Sequence, residues 1–587
     1  MRPAWFYDIE TENWTTFVVG ALISADGKCY EVYDWRREDD FIRRLAGLQG
    51  EVYAHNGGKF DHLWLLDGII RLGIAPGQIK IKKNSAGIIS IRIGDADFRD
   101  TYRIFPMSLA KLSGGSKGDV KALCICGVEG CGGYCAIRRD APPSTLRKIV
   151  DYLELDVKEL SNAVDHFECV AAGLDLDIGS TIGLTAWASA KKALDLDPAP
   201  FDNRSRWEFA KDAYYGGRVE IYRQYSGRGF KYDINSSYPA QLCKPLPVGK
   251  PTMLYGSEAA QAFRASRPGV YCARVNVPDC FIPPLPCRRK NRIGYPTGRF
   301  SGTWVYPELA YAESQGVAIE AIEQALVFPR EEVIFRSWVE AIYKTRLQFG
   351  KGSREGLWLK LVPNSLTGKL GSRCEMSTII IEPTEIRGHG KNCPGGMDCD
   401  GMCGAYRPLT RPGINPAIYE STVWKLQDCA HVEWSGYVTG YGRVEFHKQA
   451  TAGSGDAIYG DTDSCLSLRE RTYNVGPRLG EWLYEGNFSR FMALAPKVYA
   501  IEQAGQRKIK AKGIPARDDW DKLVRGDPID YFTFSGQIGE GRFFVRRPAS
   551  RRVTKGTGLR MTDHGGITRA PSYDEFTAKV DGKTGAA

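Results

Sequence analysis

Tyr459-Gly460-Asp461-Thr462-Asp463-Ser464 decides the reading of this chain. It sets two carboxylates one residue apart in a turn, between the apolar runs Ala457-Ile458-Tyr459 and Cys465-Leu466. Apolar runs on both sides of such a turn predict a β-hairpin with the acids at its tip. Carboxylates this close repel, and each then favours its protonated form. A divalent cation removes that penalty. Oxygen-only ligands at a tight turn suit Mg²⁺ (or Mn²⁺), which keeps waters and takes further oxygens from substrate phosphates. The plain alternative is an Asp-rich surface turn, so the rest of the chain has to decide.

A partner acid stands far upstream. Phe230-Lys231-Tyr232-Asp233-Ile234 reads as an aromatic-rich strand ending in Asp233, and Pro239 marks the turn that follows. Two cations need carboxylates from separate strands, and Asp233 with Asp461 and Asp463 supplies them. Between these points lies Leu357 to Lys369, where Lys360, Asn364 and Thr367 recur at helical spacing. A Lys on that face is a point-charge phosphate ligand, with Asn364 and Thr367 as hydrogen-bonding neighbours. Pro363 inside the pattern predicts a kink. Downstream, Lys497-Val498-Tyr499 and the alternating lysines Lys508, Lys510 and Lys512 fit strands turned toward a phosphate backbone.

The first third carries a second acidic set. Ala4 to Glu10 reads as a buried strand, so Asp8 and Glu10 share one face. Val52-Tyr53-Ala54-His55-Asn56 leads through Gly57-Gly58 to Asp61 at a helix start, and Tyr152 and Asp156 lie four apart on a later helix. Four carboxylates that converge are the inventory of two-metal phosphodiester hydrolysis, with Tyr152 to orient water and Lys117 to neutralise developing charge.

Composition is that of a globular chain: 587 residues, 43% apolar and 25% charged. No apolar run reaches membrane-spanning length. Acidic residues from Asp8 onward speak against a signal peptide, so a cytoplasmic setting is the expectation. The net charge of +10 is concentrated between Gly505 and Arg560, among aromatic residues, as a polyanion-binding surface would have it. Two cysteine groups stand out: Cys124, Cys126, Cys131 and Cys135, and His389, Cys393, Cys399 and Cys403. Each offers four ligands for structural Zn²⁺, although neither has paired C-x2-C spacing. Free or redox-paired thiols and an iron–sulfur cluster stay open as readings.

In order, these motifs resemble those of family B DNA polymerases, specifically the small protein-primed replicases of phages and linear plasmids. Asp8-Ile9-Glu10, Asn56 to Asp61 and Tyr152 to Asp156 are similar to the three exonuclease motifs. Asp233 to Pro239, Lys360 to Gly368 and Tyr459 to Ser464 resemble polymerase motifs A, B and C, and Lys497-Val498-Tyr499 the Lys-x-Tyr motif. Tyr214-Tyr215-Gly216-Gly217 resembles the Tyr-x-Gly-Gly linker that balances synthesis and proofreading, and Ser108-Leu109 the terminal-protein and DNA contact motif.

The resemblance implies an α/β multidomain enzyme: an RNase H-like 3′→5′ exonuclease (residues 1–180) and a right-hand polymerase. It implies a palm in two parts (181–250 and 413–526), helical fingers (335–371) and a thumb with C-terminal tail (527–587). Two insertions follow from it, 251–334 for the terminal protein and 372–412 with the second cysteine group. Two Mg²⁺ ions per active site, dNTPs, a primer–template and a terminal protein as primer are the implied cofactors and partners. The implied state is a monomer or a heterodimer with the terminal protein. By the same resemblance Tyr238, Lys344, Lys360, Asn364 and Thr367 handle the nucleotide. Lys497, Tyr499, Lys510 and Lys512 hold duplex DNA, and Thr11, His55, Asn56 and Phe60 hold a single-stranded 3′ end. Three positions depart from the family pattern: Ser237 for Leu, Thr367 for Tyr, and Pro363 within motif B. The alternative is a primer-dependent, repair-type polymerase of the same family that uses no terminal protein.

Overall fold

The structure is a computed structural model that describes residues 4–74, 79–84, 87–126, 133–382, 405–514 and 519–582. Its N-terminal part is built on a mixed sheet in which Ala4–Glu12 is the third strand from one edge. That strand runs parallel to Gly50–Ala54 and antiparallel to Thr16–Ser24. Alternation along it sorts the side chains. Tyr7 and Ile9 join a core with Phe41, Trp64 and Leu66, while Phe6 joins Ile149, Leu153 and Val157 on the opposite face. The latter three belong to the long helix Pro143–Ala172. Asp8 and Glu10, in step with Phe6, therefore face that helix.

The same sheet extends far along the sequence. Glu375–Ile381 pairs with Ile79–Asn84, and Ile418–Trp424 pairs with Glu375–Ile381. The insertion expected at 372–412 thus sends a ribbon onto the first sheet, and its returning strand lies past the expected boundary at 412. Residues 383–404, which hold the His389, Cys393, Cys399 and Cys403 group, are outside the described residues.

A second, wholly antiparallel sheet has the strand order Trp482–Phe488, Gly229–Ile234, Ser464–Ser467, Ala457–Asp461, Val219–Ile221. The helix Val432–Thr451 lies against it: a Cβ on Gly460 would sit 2.2 Å from the Phe446 ring, so only glycine allows this approach. Residues 251–334 fold around their own core of Phe263, Tyr271, Phe300 and Trp304, in a four-stranded sheet with two helices. Arg336–Phe349 and Arg354–Leu370 form a helical pair. Helix Arg354–Leu370 is continuous through Pro363, which deprives the Leu359 carbonyl of its amide donor.

Residues 529–582 do not form one body. The ribbon Ile529–Gln537/Arg542–Arg551 docks on the N-terminal helix Asp61–Leu72, where both oxygens of Asp67 accept backbone N–H groups of Phe543 and Phe544. Beyond it the chain returns to the second sheet and the insertion. The Arg560 guanidinium is buried against Glu220, and Phe576 enters the core of 251–334. Among the described residues, no helix is long and apolar enough to cross a membrane.

Candidate active sites

Asp461 and Asp463 stand at the tip of the hairpin formed by Ala457–Asp461 and Ser464–Ser467. Thr462 between them has φ +64°, a left-handed conformation unusual for a β-branched residue, which persists only where neighbours enforce it. The enforcing contacts are present. Thr462 N–H donates to the Arg218 carbonyl at 2.7 Å, and Gly217 packs directly against the Thr462 side chain. On the other side, Asp233 lies across from Ser464, and Ile234 N–H donates to the Asp463 carbonyl at 2.8 Å. Three acids from two strands of one sheet are thereby brought to one edge.

Burial, then the like charge of Asp463, pushes the Asp233 carboxyl up to about 7; burial and Asp461 raise Asp463 likewise. Lys360, exposed on helix Arg354–Leu370, pulls both back toward the charged form. Lys497 Nζ sits 2.5 Å from Asp461 Oδ1, and its backbone N–H meets the Tyr459 hydroxyl at 3.0 Å. Tyr499 is buried, its ring 5.0 Å from Tyr459, so it braces the hairpin from beneath. Lys510 and Lys512 are exposed on and just beyond the strand Gln506–Ala511, with Lys510 Nζ 5.8 Å from the Tyr499 ring.

Of the helical-face residues, Asn364 turns its amide to the Lys360 carbonyl (2.6 Å) and Thr367 is buried, its hydroxyl without a hydrogen-bond partner. Lys344 is exposed on helix Arg336–Phe349. Two cations that the sequence reading did not single out reach the Asp233 loop instead. Arg346 Nη1 lies 3.0 Å from Ser236 Oγ, and Lys351 Nζ lies 3.4 Å from Asn235 Oδ1. Burial, with Arg346 and Lys360 close by, lowers the Lys351 pKa. A positive cradle of Arg346, Lys351 and Lys360 therefore overlooks the acids. Tyr238 is half-buried beside Gly442, and its phenol is pushed up to about 12 by burial and by Tyr214.

The second site lies between strand Ala4–Glu12 and helix Pro143–Ala172. Asp8 is pushed up to about 7 by burial and by Asp156, against the pull of Lys117; burial and Asp8 raise both Glu10 and Asp61. Asp61 opens helix Asp61–Leu72 and Asp156 is 1% exposed. Asp61 Oδ1 and Asp156 Oδ1 are buried without hydrogen-bond partners. Uncompensated carboxylate oxygens beside raised carboxyl groups are what a divalent cation set would satisfy, so the residues present fit such ions.

Lys117 Nζ is 2.8 Å from Asp156 Oδ2 and 5.4 Å from the Tyr152 ring. Burial alone would lower the Lys117 pKa, yet Asp156, Asp8 and Glu10 outweigh it and the net shift is upward. A bulge in the pairing at Glu10/Thr11 re-aims the strand there, and the Thr11 hydroxyl is buried without a partner. His55 Nδ1 lies 3.0 Å from Thr101 Oγ1, and Asn56 adopts φ +62° before the Gly57-Gly58 turn. Asp100, not anticipated from sequence, holds that turn: its Oδ2 accepts the Gly58 N–H at 3.2 Å. Phe60 lies between Trp14 and Phe544 in edge contacts.

The two halves communicate at defined points. Ser108 caps Leu109–Leu112, Leu109 is buried, and Lys111 Nζ donates to the Gly352 carbonyl at 2.9 Å at the foot of the cationic helix. The carbonyls of Tyr215 and Gly216 are held by Arg443, and that of Tyr214 by Arg288.

An acid-tipped antiparallel sheet under a cationic helical pair is thus joined to a mixed sheet with its own carboxylate cluster, a multidomain α/β architecture. The family model of DNA polymerase type B, organellar and viral, matches residues 138–396. A probable DNA polymerase of Podospora anserina is 26% identical over 413 residues, covering 64% of this chain and 34% of that protein. A DNA-directed DNA polymerase of Enterobacteria phage PRD1 is 30% identical over 226 residues, covering 36% of this chain and 34% of the relative. Phi29 DNA polymerase, solved with primer-template DNA and incoming nucleotide substrates, has the same fold: TM-score 0.71, 95% of this chain and 100% of that one, at 16% identity. Over residues 138–396 the chain is therefore similar to the type B DNA polymerases of the organellar and viral kind. It spans about a third of the length of these two sequence relatives.

Proposed function

We propose that this chain is a DNA-directed DNA polymerase with a 3′→5′ exonuclease, primed by a terminal-protein hydroxyl. The observation that carries the polymerase reading is the meeting of Asp233 with the Asp461–Asp463 turn beneath Lys360. Asp233 and Asp463 would hold two divalent cations, Mg²⁺ or Mn²⁺. Such ions, when bound, activate the attacking hydroxyl and neutralise the triphosphate. Lys360, Lys351 and Arg346 meet the triphosphate charge, Tyr238 supports the sugar, and Lys497 orients Asp461. In the second site Asp8, Glu10, Asp61 and Asp156 would hold the cations of hydrolysis. There Lys117 holds Asp156 and supplies positive charge, while Tyr152 offers a phenol to the water. The separately cored unit at 251–334 and the ribbon from 372 onward support the protein-primed reading over the repair-type alternative, because both are additions to the acidic core of the fold.

The test separates the activities. Asp463→Ala should abolish dNTP incorporation on a primed template and spare degradation of a single-stranded 3′ end, and Asp8→Ala should do the reverse. Incorporation by Asp463→Ala would sink the polymerase assignment. Protein priming is checked by covalent attachment of a first labelled dNMP to a protein encoded beside this chain.

A further inference from the structure

Three thiols outside both acidic sites come together on a loop of the N-terminal part. Cys124 Sγ lies 3.5 Å from Cys126 Sγ and 3.7 Å from Cys135 Sγ, and one ligand atom from each of the three falls within 4.8 Å of the others. The Cys124 sulfur is too far from either partner for a disulfide, whose S–S bond is about 2.05 Å. The separations fit a different arrangement. Four sulfurs around a tetrahedral Zn²⁺, at about 2.3 Å from the ion, stand about 3.8 Å apart. The two measured edges lie within 0.3 Å of that value.

The backbone around them is constrained as a built site requires. Two short helical turns, Val120–Leu123 and Tyr134–Ala136, carry the limbs of the loop. They cross at Gly133, whose φ is +88° and where a Cβ would come within 1.7 Å of the Val120 carbonyl oxygen. Leu123, Ala136 and Ile137 anchor the limbs in the core that also holds Ile149 and Leu153. Nothing in the apolar packing calls for three cysteines at the loop's outer end, where Cys126 is exposed and the other two are half-exposed.

We propose that Cys124, Cys126 and Cys135 bind a structural Zn²⁺ ion. Each ligating thiol gives up its proton, so binding releases three protons and leaves the ion with three thiolates and one further donor. Cys131 lies outside the described residues, and the proposal does not rest on it. The ion would clamp together two limbs that both reach the exonuclease-type cleft. One begins just after Lys117, the partner of Asp156; the other carries Tyr134, whose ring lies 4.7 Å from Trp14.

The experiment compares the full-length chain with Cys124→Ser/Cys135→Ser, both purified without chelator after growth with zinc, by elemental analysis. The His389 group is common to both proteins and cancels. The variant should hold about one zinc fewer per chain, and Co²⁺-loaded wild type should show a thiolate-to-cobalt absorption band that the variant lacks. Equal zinc in the two proteins, or no difference in the cobalt band, would overturn the proposal. Should the double variant misfold, Cys126→Ser, at the exposed position, takes its place, with primer extension reporting that the rest of the chain is folded. In it the same loss is expected as weaker retention of one zinc against a competing chelator. Unchanged retention in folded Cys126→Ser would count equally against the site.

Discussion

Gly217 lies directly against Thr462: a Cβ at position 217 would stand 2.5 Å from Thr462 Cγ2 and 2.6 Å from its Oγ1. The chain that leaves the N-terminal part thus supports, by backbone contact, the residue that separates Asp461 from Asp463. Its neighbour Gly216 has open space where a Cβ would be. Gly217→Ala should therefore destabilise by about 1–3 kcal/mol, the cost of overpacking. It should lower kcat/KM for dNTP incorporation at least about tenfold by displacing the turn. Gly216→Ala should be much closer to wild type in stability. Equal denaturation midpoints for the two variants would contradict this support role.

The raised carboxyl groups give a pH signature. Asp8 and Asp233 are each pushed to about 7 in the folded chain, against about 3.9 when unfolded. Between those values the folded state holds more protons than the unfolded one, so stability without divalent ions is full below the lower value and falls as pH rises toward 7. The loss per group is bounded at about 4 kcal/mol. Melting temperatures measured in a chelator should fall from pH 5 to pH 8, and added Mg²⁺ should recover most of the loss at pH 8. Asp233→Asn, which has no charge to repel Asp463, should show a shallower fall; a slope equal to wild type would be inconsistent with burial and carboxylate repulsion at Asp233 as its cause.

Much of this was legible in the sequence because it depends on local periodicity. The alternation of Phe6, Tyr7, Asp8, Ile9 and Glu10 places both acids on one face whatever lies opposite, and apolar runs around Asp461-Thr462-Asp463 describe a hairpin on their own. Arg346 and Lys351 were not legible. They flank the turn between two helices, and what brings them to Ser236 and Asn235 is the packing of that helical pair on the acidic sheet. Asp100 resembles any strand end until its carboxylate is seen beneath Gly58. The pairing of Glu375–Ile381 with Ile79–Asn84 joins strands almost three hundred residues apart, and neither strand's own residues carry a sign of its eventual neighbour. The helical run through Pro363 shows tertiary burial overriding a local preference, since Val362, Pro363 and Leu366 are all buried.

Lys497 is a positioning residue for the hairpin acids. Its Nζ pairs with Asp461 at 2.5 Å, while its φ of +66° is held by the hydrogen bond that its backbone N–H donates to the Tyr459 hydroxyl. Lys497→Met keeps the bulk and removes the charge. Loss of a charge-assisted contact of this kind is worth about 1.5–3 kcal/mol, or roughly 10–100-fold in kcat/KM for incorporation. Exonuclease rate on single-stranded DNA should not change, because Lys497 belongs to the other acidic site. Parallel loss of both activities would show a folding defect instead.

The docking of the C-terminal ribbon on the first domain rests on few groups, so it can be broken selectively. Both oxygens of Asp67 are taken by the Phe543 and Phe544 amides, and Phe544 meets the Phe60 ring edge-on at 5.0 Å. Phe543 is itself buried in the core that contains Trp64 and Leu66. Asp67→Ala would leave two amides at this junction without acceptors, at about 1–3 kcal/mol for each that stays buried. That is enough to populate an undocked ribbon without unfolding either sheet. The expected signs are faster proteolytic cleavage between Arg525 and Arg551 and weaker retention of primer–template at moderate salt, since the ribbon carries Arg542, Arg546, Arg547 and Arg551. Single-nucleotide addition at saturating DNA should be nearly unchanged, as no residue of the ribbon reaches Asp233 or Asp463 among the described contacts. A variant with normal proteolysis but impaired single addition would mean that Asp67 acts through the acidic sheet and not through the ribbon.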